Sequence, residues 1–358
     1  MSTTPGPEVS SPPPEKRGLV WVFAGTGGLR AGWSIALAYS LFYFFRLVVG
    51  TGFVTVGLVN DDSGFSAGSV ALLELIPFLA MIGAGILIAL LERRRLLDYN
   101  LAGPRPLPHF FLGFAAGFVA LSALVGALRM GGWLRFGPAA LGGSDVIRYA
   151  VLWACAYLLV GCVEEGLFRG YLQFTLTRGL TFWWALALEI ILCVYAFAKA
   201  RQDAPGIYLV ALLGLFPCLL LQRKAAAHGA FWQAAWVTST LFGLVHSFNR
   251  GENWIGIFAA ASIGFVFCVS VRVTGSAWWA IGCHAAWDWS ETYFYGTANS
   301  GLPAQGHLLA AGPAGNPLLS GGADGPEGSL LVPGAILLLL ALLLVYARLG
   351  SRAEAAAA

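Results

Sequence analysis

Ten apolar runs of roughly 20 residues constrain the fold of this chain more than any other feature of its sequence. Of the 358 residues, 58% are apolar and 11% are charged, whereas a soluble domain carries about 25% charged residues. A run of ~20 apolar residues is long enough to cross a bilayer as a helix. The sequence therefore predicts an all-α, polytopic transmembrane helical bundle with about 8–10 membrane-spanning helices.

Two of the ten runs are interrupted by a residue that is unusual inside a membrane helix. The runs cover 33–58, 69–91, 109–130, 146–176, 182–199, 206–222, 230–248, 254–273, 276–296 and 330–348. The fifth and sixth are the weakest because Glu189 interrupts one and Pro217 the other. Residues 1–18 are polar and rich in Pro and Ser, so we expect a disordered cytoplasmic tail over 1–30.

Lys and Arg in the connecting segments predict the orientation, since they accumulate on the cytoplasmic side of membrane proteins. With both termini inside, the 13 inner residues are Lys16, Arg17, Arg30, Arg93, Arg94, Arg95, Arg105, Arg178, Arg223, Lys224, Arg272, Arg348 and Arg352. The 6 outer residues are Arg129, Arg135, Arg148, Lys199, Arg201 and Arg250. We therefore expect an integral, multi-pass protein of the cytoplasmic (inner) membrane with both termini in the cytoplasm.

The charge balance also bears on partners. The net charge is +3, and no basic cluster in the chain suggests binding to a nucleic acid. The partners that the sequence predicts are the lipid bilayer and a peptide or membrane-anchored protein substrate. The oligomeric state is not predicted.

Three charged residues stand close together within the fourth run, where each costs at least ~2.5–3.5 kcal/mol at membrane depth. On a helix, Glu165 and Arg169 are four residues apart and share a face, so they can pair. Glu164 points about 100° away from Glu165 and has no local partner. We interpret Glu165 as structural and Glu164 as available for chemistry. The other intramembrane charges, Glu74, Glu189 and Arg46, are expected to be structural.

Two histidines and an aspartate accompany Glu164 on later runs. His246 lies near the end of the seventh run, and His284 lies on the ninth with Asp288 one helical turn later. Charged and polar groups in lipid turn toward one another in the bundle interior. The sequence therefore predicts one constellation of Glu164, His246, His284 and Asp288.

This constellation supports two kinds of hydrolysis. In the first, Glu164 and His246 hold and deprotonate a water while His284 donates to the oxyanion. In the second, Glu164, His246 and His284 bind a zinc ion that carries the water. No His-Glu-x-x-His occurs in the chain, so the usual helix-borne zinc signature is absent. We expect no cofactor, with zinc as the alternative.

The same residues resemble the three ordered motifs of the CPBP family, which comprises the CAAX prenyl endopeptidases and their bacteriocin-processing and abortive-infection relatives. The motifs are Glu164-Glu165-x-x-x-Arg169, Phe242-x-x-x-His246 and His284-x-x-x-Asp288. The resemblance covers about residues 90–297. It implies a helical intramembrane endopeptidase of the glutamate type, in which Glu164 and His246 activate water and His284 and position 288 stabilise the oxyanion.

Position 288 departs from the CAAX-processing pattern, which has Asn where this chain has Asp. An ionised Asp only accepts hydrogen bonds. Asp288 is therefore either protonated, and a donor to the oxyanion, or ionised, and the group that orients His284. We favour the protonated form because no cation is obviously placed beside it.

The resemblance also divides the chain. We expect N-terminal transmembrane helices over 31–145, a catalytic core over 146–297 with an inserted hairpin near 180–222, a Gly/Pro-rich outer loop over 298–329, and a C-terminal helix and tail over 330–358. Two non-enzymatic readings compete with the protease. One is a membrane scaffold or chaperone that keeps the fold, and the other is a transporter with a proton relay.

Overall fold

The predicted all-α bundle is confirmed. The computed structural model describes residues 20–25, 28–59, 66–199, 205–224, 226–249, 251–302 and 305–357. Most of these residues are helical, and the strands that occur among them form two short antiparallel pairs. Of the tail expected over 1–30, residues 1–19 lie outside the described residues.

The helices follow the predicted runs closely. In chain order they are α1 (Val20–Phe23), α2 (Ala31–Thr55), α3 (Ala67–Leu91), α4 (Pro106–Met130), α5 (Ser144–Glu165), α6 (Gln173–Gly179), α7 (Phe182–Ala198), α8 (Pro205–Lys224), α9 (Ala226–His246), α10 (Trp254–Thr274), α11 (Trp278–Trp289), α12 (Pro317–Ser320) and α13 (Val332–Ala357). The π-helical segments are Gly166–Leu172 and Ser290–Tyr295, and the 3₁₀ turns are Leu96–Asp98 and Pro326–Gly328. Strand β1 (Ala24–Gly25) pairs with β2 (Gly28–Leu29), and β3 (Leu134–Phe136) with β4 (Ala311–Pro313).

Six of the ten predicted runs are helices long and apolar enough to cross a membrane. They are Ala31–Thr55, Ala67–Leu91, Pro106–Met130, Ser144–Gly179, Trp254–Thr274 and Val332–Gly350. The weak fifth and sixth runs form two shorter apolar helices, Phe182–Ala198 and Pro205–Leu220. Helix α9, and α11 with its π-helical extension, cover the remaining two runs. The chain is an integral, multi-pass membrane protein.

Helix α10 shows how local sequence sets the ends of these helices. The side chain of Asn253 accepts hydrogen bonds from the backbone N–H groups of Ile255 and Gly256, which caps donors that have no partner inside the helix. The helix ends at Gly275, whose φ of 77° is the left-handed conformation that favours glycine at this position.

Helix α11 is held by unusually close backbone approaches to two neighbours. A Cβ at Gly113 or Gly117 of α4 would overlap backbone carbonyls of Trp279 or Cys283. A Cβ at Gly161 of α5 would press on the carbonyl of Ile281. Small residues allow such approaches between membrane helices. They fix α11, which carries His284, against the helix that carries Glu164.

The connection expected over 298–329 packs against the rest of the molecule. Its strand β4 pairs with β3, which follows α4, and its Leu318 accepts a backbone hydrogen bond from Leu330, the residue directly after the loop. Asp324 and Ser329 are buried, with 1% and 0% of their surface exposed. This segment therefore forms one end of the bundle, beside the start of α10.

Candidate active site

The helix that carries the first motif is longer than a simple membrane span. Helix α5, the π-helical turn Gly166–Leu172 and α6 form one continuous helix, Ser144–Gly179, of 36 residues. The π-helical turn begins directly after Glu165, and such turns are frequent at functional sites. The added length places Glu164 well inside the helix, so it can lie level with His246 at the end of α9.

The predicted pair of Glu165 and Arg169 forms. The Arg169 Nη1 lies 3.2 Å from the Glu165 Oε1, and both side chains are 0% exposed. The guanidinium also lies over aromatic rings, with its central carbon 4.1 Å from the centre of the Phe242 ring and 5.4 Å from that of Phe267. Such cation–π contacts help to balance a buried charge. Gly264 leaves the space that Arg169 fills, since a Cβ there would overlap its Nη2.

His284 is oriented by Glu165. Its Nδ1 lies 2.9 Å from the Glu165 Oε1, and since a carboxylate only accepts, Nδ1 carries the donated proton. The ring stacks on Phe267 with 23° between the planes. The other nitrogen, Nε2, lies 3.5 Å from the Asp288 Oδ2 and 3.9 Å from the Glu164 Oε2. Three carboxylates therefore surround one imidazole.

This arrangement bears on the two readings of Asp288. Glu165, on α5, accepts the hydrogen bond from Nδ1 that orients the His284 ring. Asp288 lies near the other nitrogen, Nε2. Asp288 is 8% exposed and faces the nitrogen that the site would use toward a substrate.

Glu164 and His246 contribute to the same pocket from α5 and α9. The Glu164 side chain is 36% exposed, in contrast to the fully buried Glu165. The Nδ1 of His246 donates to the carbonyl of Phe242 at 2.8 Å, which leaves Nε2 as an acceptor. No hydrogen bond or ion pair between Glu164 and His246 occurs in the described structure, although both line the pocket.

The four predicted catalytic residues all line one pocket of about 250 Å³. Its other polar lining residues, which sequence reasoning did not assign to the site, are Glu74, Tyr157, Asn249, Glu252, Asn299, Ser300 and Glu327. Of these, Asn249 and Glu252 follow His246 at intervals of three residues, which is the only sequence signal that associates them with it. Glu74, expected to be structural beside Arg46, forms no ion pair with it among the described residues.

The alternative zinc ligands are less closely grouped. Among the described residues, the one group of at least three His, Cys, Asp or Glu side chains with ligand atoms all within 4.8 Å of one another is Glu252, Asp324 and Glu327. Glu164, His246 and His284 do not form such a group.

Comparison with known families agrees with the motifs. The family model described as type II CAAX prenyl endopeptidase Rce1-like matches residues 147–226 and 216–290. The resemblance drawn from the three motifs is confirmed. Every motif residue, from Glu164 to Asp288, falls within the Rce1-like match. No curated protein and no solved structure gave a match. The Rce1-like match supports an intramembrane protease function.

Proposed function

We propose that this protein is an intramembrane endopeptidase in which Glu164 is the general base for a water that attacks a peptide carbonyl. The observation that carries the proposal is the contrast between two adjacent acids. Glu165 is fully buried and held by Arg169 and His284, whereas Glu164 is 36% exposed in a pocket that it shares with two histidines.

The proposed reaction uses the two histidines differently. A water between Glu164 and His246 gives its proton to Glu164 while its oxygen bonds to the carbonyl carbon. The Nε2 of His246 accepts a second hydrogen bond from this water and holds it in place. The carbon–nitrogen bond then breaks, and the leaving amine takes the proton from Glu164.

His284 supplies the oxyanion stabilisation in this scheme. When its ring carries both protons, Nδ1 donates to Glu165 and Nε2 donates into the pocket. The carboxylates of Glu165, at 2.9 Å from the ring, and Glu164, at 3.9 Å, attract a positive imidazole. Such a preoriented donor typically contributes ~10²–10³-fold to kcat.

The substrate that this pocket fits is a peptide or a membrane-anchored protein. The pocket is lined by acidic and amide groups as well as by aromatic rings, so it suits a polar backbone approached from an apolar environment. A prenylated CAAX peptide is one member of this class, and it is one of the substrates to be tested.

Cleavage by the purified full-length chain tests the proposal. A peptide library analysed by mass spectrometry should show internal cleavage by the wild type and none by Glu164→Ala. Asp145→Asn is a matched control, because Asp145 is a half-exposed acid paired with Arg148 at the surface. Absence of cleavage by every preparation would favour the scaffold or chaperone reading.

A second test separates the proposed glutamate chemistry from the zinc alternative. The chelator 1,10-phenanthroline should leave the cleavage rate unchanged, because no transition metal is needed. Stoichiometric zinc in the purified protein, lost together with activity and restored with it, would contradict the glutamate mechanism.

We further propose that the pocket opens toward the outer side of the membrane. Asn249, Glu252 and Ser300 line it, and they belong to connections that the distribution of Lys and Arg places outside. A cysteine introduced at Asp98, in the cytoplasmic connection, should resist an impermeant reagent, whereas one introduced at Asp145 should react. The reverse pattern would overturn this orientation.

A further inference from the structure

A second group of acids lies at the end of the bundle, where α9 and α11 end and α10 begins. Each of Glu252, Asp324 and Glu327 offers a carboxylate oxygen, and the three oxygens lie within 4.8 Å of one another. Glu252 and Asp324 are 6% and 1% exposed. They come from the connection between α9 and α10 and from the segment before α13, so the group joins two regions distant in sequence.

A fourth carboxylate is directed toward this group. Glu291, in the π-helical extension of α11, is 0% exposed, and neither of its carboxylate oxygens has a hydrogen-bond partner. Its Oε1 lies against Gly325, the residue after Asp324. A fully buried carboxylate without a donor loses its hydration without replacement, so it indicates a missing positive partner.

Two glycines make room for the oxygens. A Cβ at Gly256, in the first turn of α10, would overlap the Glu252 Oε1 and the Asp324 Oδ2. A Cβ at Gly328 would likewise press on the Asp324 carboxylate. The backbone therefore leaves space for closely spaced carboxylate oxygens.

Three of these carboxylates have no Lys or Arg close by in the part of the chain that the structure describes. No Lys or Arg lies within 4 Å of the carboxylates of Glu252, Glu291 or Glu327. Close carboxylates repel one another strongly in such surroundings unless a proton or a cation lies between them.

We propose that Glu252, Asp324 and Glu327 form a binding site for a hard divalent cation, with calcium preferred, and that Glu291 adds a buried negative charge beside it. All three ligand side chains offer oxygen, the donor type that calcium and magnesium select. Ligands from irregular segments suit the flexible coordination of calcium better than the strict octahedron of magnesium. The proposal does not depend on the proposed protease activity.

The position of the site gives the cation a structural role. Glu252 and Glu327 also line the pocket that holds Glu164 and His246. A cation held there joins the segment before α13 to the start of α10 and fixes this wall of the pocket. Asn253 already donates its backbone N–H to the Asp324 Oδ2 at 3.2 Å, so part of the wall is preoriented.

Equilibrium dialysis of the full-length protein against calcium alone tests the proposal. The wild type, first freed of cations with a chelator, should bind one calcium per chain with a Kd of ~10⁻⁴–10⁻³ M or tighter, and magnesium more weakly. No saturable calcium binding by the wild type would overturn the proposal, and magnesium binding as tight as calcium binding would overturn the stated preference.

Three variants locate the site. Glu252→Gln with Glu327→Gln should weaken calcium binding ~10-fold or more, since affinity follows the charge of the ligands. Gly256→Ala keeps every charge but fills the space between two ligand oxygens, and it should also weaken binding. Asp145→Asn removes one distant surface charge and should bind as the wild type does. Undiminished binding by both site variants would overturn the assignment.

Thermal unfolding in detergent guards against variants that do not fold. Calcium should raise the unfolding temperature of the wild type by a few degrees, and this rise should be lost in the double variant. With chelator present, the double variant should unfold at or above the wild-type temperature, because two repelling charges are gone. If the double variant unfolded at a much lower temperature than the wild type under these conditions, the carboxylates would not repel one another as the proposal requires.

Discussion

Glu165 and a second set of acids lie next to one pocket, and they differ in what balances their charge. Glu165 has Arg169 at 3.2 Å and His284 at 2.9 Å. The group of Glu252, Glu291 and Glu327 has no Lys or Arg within 4 Å among the described residues. A buried acid with a fixed partner stabilises one arrangement of helices. Closely spaced acids without such a partner need a proton, a water or a cation between them. Glu165 therefore has a structural role, and the second set of acids indicates a bound ligand.

Removing the balanced acid has the largest expected effect on stability. Glu165→Gln leaves Arg169 buried without its charge partner and weakens the bond to His284, so we expect a loss of about 3–5 kcal/mol. Thermal unfolding in detergent measures it, with Asp145→Asn as the acid-to-amide control. Equal unfolding temperatures for Glu165→Gln and the wild type would show that the pair is not structural.

A smaller loss is expected from the space beside Arg169. Gly264→Ala places a Cβ where the guanidinium lies, and such overpacking costs about 1–3 kcal/mol. Gly126→Ala on α4 is the matched control, because nothing lies within 4 Å of a Cβ there. If both variants unfold alike, the position of Arg169 does not depend on Gly264.

The smallest effect is expected at Asp288. Because Glu165 already orients His284, Asp288→Asn should retain kcat within ~10-fold, which corresponds to at most about 1.4 kcal/mol. The amide replaces a protonated acid as a donor, so any decline at high pH caused by ionisation of Asp288 should also disappear. A pH–rate profile checks both points. A loss above ~100-fold at every pH would instead give Asp288 the orienting role.

The helices could be predicted from the sequence because each depends on local composition. The pairing of Glu165 with Arg169 was also predictable, since a spacing of four on one helix decides it. The bond from Glu165 to His284 was not, because it depends on how glycines let α11 approach α4 and α5. No local pattern reports that contact between residues 119 positions apart.

The second acid group illustrates the same limit. Asp324 and Glu327 lie in what was predicted to be a Gly/Pro-rich outer loop, and the sequence shows nothing that brings them to Glu252. Their approach depends on the path of the whole 298–329 segment, in which Asp324 and Gly328 accept hydrogen bonds from Asn253 at the start of α10. Long-range packing of this kind is not encoded in any short motif.

The kinetics of Glu164→Gln test the central claim most directly. The amide keeps the shape of Glu164 but cannot take a proton from water, so kcat for peptide cleavage should fall by ~10²–10⁴-fold. The unfolding temperature should stay at the wild-type value, because Glu164 has no charge partner on its own helix. Retention of kcat within ~10-fold of the wild type would contradict the assignment of Glu164 as the base.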